Sequence, residues 1–156
     1  MSKSRDEIRL EKIRKITEYL ENNPEKRDVK NTFIERFILC EILCKEAMLD
    51  YWHDNGKKLD KTDTEGINLW PDVIKNAIGP DTYHDFSEEF LLQIFGGKDN
   101  KNNPYRIKGN YSAKMLRDKI THELLITAID ELYNRRDEIN ELMEKFMDGF
   151  DIAENE

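Results

Sequence analysis

Cysteine, glycine and proline are scarce in this chain of 156 residues, which carries only two, seven and four of them. Two cysteines exclude a disulfide scaffold, and so little glycine and proline excludes collagen-like and low-complexity chains. Cys40 and Cys44 stand four apart in an apolar segment. One continuous helix there would keep them from bridging, and with no His pair nearby they do not complete a zinc site. They are expected as reduced core residues. Long apolar runs are missing as well. No stretch approaches the ~20 residues needed to cross a bilayer, and Met1 to Arg14 mixes charges with Ile and Leu where a signal peptide would be apolar. The expectation is a cytoplasmic protein with no membrane contact. Cations are outnumbered, 25 Lys and Arg against 33 Asp and Glu, and the net charge of -8 excludes a generic coat for polyanions unless the basic residues are gathered locally.

What remains is 38% hydrophobic and 37% charged, rich in Leu, Ile, Glu and Lys, a mixture that favours helix. The length suits one domain, expected over residues 1–150 with an acidic, frayed tail from Asp151 to Glu156. Ile8, Ile13, Ile16 and Leu20 predict a first helix from Ser4 to Asn22, closed by Asn23-Pro24. From Asn31 to His53 apolar side chains occupy most of the helical circumference, so this central helix should be covered on several sides. Residues 55–110 are punctuated by Gly and Pro and read as a loop-rich insertion with short helices near Pro71 to Ala77 and Ser87 to Phe95. Asp63 and Glu65 do not make a calcium loop, because Lys61 stands at the first ligand position. Gly96-Gly97-Lys98 lacks the rest of a phosphate-binding loop and reads as a turn. Periodicity returns with one long helix from Tyr111 to Tyr133, a basic corner at Asn134-Arg135-Arg136, and a last helix from Asp137 to Phe150. The fold expected is an all-α bundle of four or five helices with the insertion in its middle.

On the 111–133 helix, Asp118 and His122 interrupt an apolar face. Four residues apart, they are neighbours on one turn, so the carboxylate is expected to accept a hydrogen bond from the imidazole and orient it. Arg117 lies well around the helix from His122, so its side chain must curl or a partner must bring the second half of a site. Leu116, Ile120 and Leu124 form a second apolar strip facing away from the first, which suggests a second subunit. The bland alternative is a satisfied pair on a helix surface beside a solvated arginine.

Arg117-Asp118-Lys119-Ile120-Thr121-His122, led into by Tyr111-Ser112-Ala113-Lys114-Met115-Leu116 and followed by an amphipathic helix, resembles the signature of the HEPN superfamily (higher eukaryotes and prokaryotes nucleotide-binding). The resemblance covers mainly residues 111–150, with Asn31 to His53 matching the family's long core helix. It implies a HEPN-like bundle and a metal-independent endoribonuclease that needs no cofactor. It further implies a homodimer with two motifs facing one cleft, and a place in a toxin, antiphage or other defence system, with an antitoxin or similar partner. Arg117, Asp118 and His122 would be the catalytic residues. Leu124 stands where some members carry the tyrosine of His-x-Tyr, which puts that toxin-antitoxin subtype in doubt.

Charge placement fits an RNA partner. Residues 101–136 hold eight basic against four acidic side chains, a net +4 within an acidic chain. Lys108, Lys114 and Lys119 would meet phosphates, and Tyr111 and Tyr105 are available for base stacking. Two rival readings stand beside the ribonuclease: a catalytically silent HEPN module that binds a nucleotide or a protein, and a helical interaction protein whose contact surface is 55–110.

Overall fold

A computed structural model describes residues 3–54, 71 and 86–155. Six helices are defined: α1 (Arg5–Asn22), α2 (Pro24–Asp54), α3 (Glu88–Phe95), α4 (Ala113–Thr121), α5 (Ile126–Asn134) and α6 (Arg136–Asn155), with no strand among the described residues. The chain is all-α. The expected helix at Pro71 to Ala77 and the calcium-like segment lie outside the described residues, Pro71 itself excepted.

Local chemistry fixes most helix starts. The hydroxyls of Ser4, Ser87 and Ser112 accept backbone N–H groups of Glu7, Phe90 and Met115, three residues on, each satisfying a donor that the first turn leaves open. Pro24 opens α2, where a missing N–H costs nothing, so a single residue, Asn23, separates α1 from α2.

Phe33, Phe37, Cys40, Cys44, Ala47 and Met48 of α2 are buried, a stripe that advances by four and three. Against it pack α6 through Ile139, Met143 and Phe146, α5 through Ala128, Ile129 and Leu132, and α4 through Ala113, Leu116 and Ile120. The rings of Phe37, Phe95 and Phe146 join α2, α3 and α6, with centroids 5.7 and 5.3 Å apart along the series. Ile38, Leu39 and Ile42 remain 45–50% exposed. The expected covering of α2 on several sides is therefore not found among the described residues; one face is packed and another is open. Burial raises the Cys40 thiol pKa to about 12 and carries that of Cys44 well above its usual value, as expected of inert core thiols.

The short helix expected near Ser87 to Phe95 is present, and its Phe90, Leu91, Ile94 and Phe95 join the core. α6 runs past the expected Phe150 to Asn155. One expectation needs correction: Tyr111 to Tyr133 is not one helix. It ends at Thr121, passes through Leu124 in a left-handed conformation (φ 54°), and restarts at Ile126 as a separate helix. On a straight helix Leu116 and Ile120 would face about 180° from Ile129 and Leu132. The break turns both pairs into one core, where none exceeds 3% exposure, at a backbone cost of roughly 1–2 kcal/mol for a leucine in that region. The second apolar strip of α4 is thus covered by its own chain and gives no reason for a subunit contact.

The stretch between α3 and α4 is irregular but tied down. Asn103 is buried, donating to the Gly97 carbonyl (3.1 Å) and accepting from the Tyr105 amide (2.9 Å), while Ser112 donates to the Gly96 carbonyl (2.6 Å). A Cβ on Gly96 would lie 2.4 Å from the Leu92 carbonyl oxygen, so only glycine fits. The turn expected at Gly96-Gly97 is present, and it sets the level at which α4 begins.

Candidate functional site

With Ser112 fixing its N-terminus, α4 presents Lys114, Arg117 and Asp118 along its partly exposed side and ends on His122. Arg117 extends toward α2. Its guanidinium lies over the Phe37 ring, 4.7 Å from the centroid, and donates from Nη1 to Glu41 Oε1 and from Nε to Asp118 Oδ1, each at 2.9 Å. Its side chain is 23% exposed and that of Glu41 24%, so the pair sits at the boundary between core and solvent. Nη2 has no hydrogen-bond partner among the described residues.

Lys114 belongs to the same cluster. Burial pushes its pKa below the usual lysine value and Arg117 adds to this, while Asp118, Glu41 and Asp99 oppose. Its stem packs beside Gly97, and its ammonium has no hydrogen-bond partner among the described residues. A half-buried ammonium and a guanidinium nitrogen, neither with a hydrogen-bond partner among the described residues, are thus carried one turn apart on α4.

His122 caps α4, with its backbone N–H on the Asp118 carbonyl (2.9 Å) and its side chain exposed. The expected hydrogen bond between the Asp118 carboxylate and this imidazole is absent; Asp118 turns to Arg117 instead. The reason is local: a charge-assisted bond to the neighbouring guanidinium competes for the carboxylate, and the helix ends where the imidazole begins. Arg117 and His122, five positions and so about 140° apart on a helix, are brought to different sides of α4.

The other expected RNA contacts are scattered. Lys119 lies over the Tyr111 ring (5.2 Å) and pairs with Glu123 (3.2 Å), while Lys108 is exposed on the preceding loop. Tyr105 donates to Glu89, away from the cluster. The net +4 of residues 101–136 is not one surface. Arg106 donates to the carbonyls of Asn103, Lys98 and Lys101, and Arg135 to Tyr111 O, Glu131 and Glu138. Glu131, nearly buried, also accepts the amides of Gly109 and Tyr111, which makes this network the anchor of the loop before α4.

An open cavity of about 880 Å³ between α3 and α6 has Phe86, Phe90 and Leu142 beside Glu89, Glu141 and Asp148. Its charge has the wrong sign for a polyanion. Among the described residues no three His, Cys, Asp or Glu side chains are grouped to hold a metal ion.

Glu41 went unnoticed in the sequence, although a signal was there: it is the single charged residue between Phe37 and Cys44. A charge kept inside an apolar run asks for a partner. Comparison with protein-family models, with curated proteins and with solved structures finds no match.

Proposed function

We propose that the chain is a metal-independent endoribonuclease of HEPN type acting on single-stranded RNA, with Arg117 holding the scissile phosphate and His122 transferring protons. The observation that carries the reading is the state of Arg117: seated on an aromatic ring, oriented from two sides, and offering an Nη2 without a partner among the described residues, one helical turn from Lys114. A guanidinium so placed stabilises charge developing on a phosphorane. His122, exposed at the end of the same helix, takes the 2′-hydroxyl proton. The 2′-oxygen then attacks phosphorus, the bond to the 5′-oxygen breaks, and the leaving oxygen takes a proton from water, giving a 2′,3′-cyclic phosphate and a 5′-hydroxyl.

Because Arg117 and His122 point to different sides of α4, one chain does not readily bring both to one phosphate. A second copy supplying the other half fits this geometry. The open strip Ile38, Leu39 and Ile42 adjoins Glu41 on α2 and offers that copy a surface. Asp118, placed on Arg117, acts as a positioning residue for the guanidinium. The resemblance of Arg117 to His122 to the HEPN signature supports a role as an effector in toxin or defence systems, with a partner that holds it in check.

One observation favours a second reading. Two carboxylates at 2.9 Å largely neutralise Arg117, as suits a catalytically silent module that binds a nucleotide or a protein. Incubation of the purified chain with single-stranded RNA in EDTA decides between them. Cleavage with cyclic phosphate ends that is lost in His122→Ala supports the ribonuclease; cleavage retained in that variant, or strictly dependent on a divalent metal, overturns it.

A further inference from the structure

Arg117 carries five N–H donors arranged as two forks, one formed by Nε and Nη2 and the other by Nη1 and Nη2. Paired recognition of a phosphate uses both prongs of a fork. Here each fork has a carboxylate oxygen on one of its nitrogens: Asp118 on Nε and Glu41 on Nη1, both at 2.9 Å. Nη2, common to both forks, is the nitrogen left without a partner among the described residues. An incoming phosphate therefore finds a single free nitrogen and, beside it, two negative charges that repel it.

The two carboxylates differ in origin. Asp118 is the next residue on α4 and moves with Arg117, whereas Glu41 belongs to α2 and reaches across the seam from 76 positions away. Glu41 also stands at the edge of the packed face of α2, with Phe37 and Cys40 on one side and the exposed Ile38 and Ile42 on the other. Its side chain can withdraw toward solvent without disturbing the core. When it does so, Arg117 and Lys114 face one carboxylate fewer, and the local charge rises by one unit.

We propose that Glu41 is a built-in restraint on the anion site: it occupies one fork of Arg117 and is displaced when a nucleic-acid phosphate takes that fork. This rests on the reading of Arg117 as a phosphate ligand, and it adds a residue whose removal strengthens the site. Replacing Glu41 by the isosteric Gln removes one unit charge from the fork that the phosphate would take, and binding roughly tenfold tighter or more is expected.

The test measures binding of a single-stranded 2′-O-methyl oligonucleotide, which lacks the attacking hydroxyl, beside cleavage of the matching RNA. Wild type, Glu41→Gln, Arg117→Ala and the double variant are compared. Tighter binding by Glu41→Gln that vanishes in the Arg117→Ala background is the expected result. Unchanged or weaker binding by Glu41→Gln with a native melting transition overturns the restraint, as does the absence of measurable binding in every form, whether or not RNA is cleaved. If the tighter, Arg117-dependent binding is found and no form cleaves RNA, the restraint stands and the catalytic role of His122 falls. Should Glu41→Gln fail to fold, Glu41→Asp, one methylene shorter, is expected to move binding in the same direction by a smaller factor, and no change there overturns the proposal.

Discussion

Where α1 turns into α2, the Lys26 ammonium is enclosed: Tyr19 and Asp130 accept its hydrogen bonds at 2.8 and 2.9 Å, and the rings of Tyr19 and Tyr133 lie within 5.6 Å. Tyr19 donates in turn to Asp130, and Tyr133 to Glu25. Where α2 meets α4, the Arg117 cluster has the same ingredients, cations, carboxylates and an aromatic ring, yet among the described residues Nη2 and the Lys114 ammonium have no partners. Both clusters join helices distant in sequence. The closed one, with two of the three Lys26 donors bonded to Tyr19 and Asp130, serves to hold α1 against α5. The open one keeps donors in reserve, which costs stability unless something is bound there.

The largest expected effect falls on the open cluster and its helix. Arg117→Ala and His122→Ala should each lower RNA cleavage by on the order of 10²-fold or more, with His122→Ala leaving the melting temperature nearly unchanged because its side chain is exposed. A Tyr19→Phe variant that lost cleavage to the same degree would erase the distinction between the clusters. Next in size is Arg117→Lys, which keeps the charge and gives up the fork; about tenfold weaker oligonucleotide binding is expected, and wild-type affinity would show that the fork plays no part.

Tyr19→Phe sharpens the comparison from the other side. Removing the hydroxyl between Lys26 and Asp130 should destabilise the fold by about 1 kcal/mol in chemical denaturation while leaving cleavage at the wild-type rate. The smallest effects are those of pH. Burial works to raise the Asp130 pKa, but the hydrogen bonds from Tyr19 and Lys26 together outweigh it and hold the carboxyl below its usual value. Hydrogen bonds to Tyr19 and Asp130 hold Lys26 above its own, against desolvation. A lowered carboxyl contributes stability that is present above its unfolded pKa of about 4 and is lost as pH falls through the folded value. A raised ammonium contributes stability that is present below about 10.4 and is lost as pH rises. In Tyr19→Phe both flanks of the stability profile should flatten; profiles parallel from pH 2.5 to 11.5 would mean that Tyr19 does not couple to either charge.

Much of the fold was legible in residues close together along the chain. Ser4 and Asn23-Pro24 bounded α1 as expected and Ser87 opened α3, whereas the packed face of α2 was hidden by apolar residues around most of that helix. The break at Leu124 was hidden because no glycine or proline announces it. The segment from Tyr111 to Tyr133 has helical periodicity throughout, and only the need to bury two opposed strips against one core makes a bend worth its strain. The same break undid the pairing of Asp118 with His122.

The candidate site divides along the same line. Sequence determined that Arg117, Asp118 and His122 would share a helix and that Lys114 would lie one turn before Arg117, because spacing along a helix is set by bonds between residues three and four apart. Tertiary structure alone decided that Arg117 would meet Glu41 and Phe37, that His122 would close its helix in solvent, and that Ile38 and Ile42 would remain exposed. Those outcomes depend on how α2 and α4 cross, which the whole core sets, and no local pattern carries the position of a partner 76 residues away.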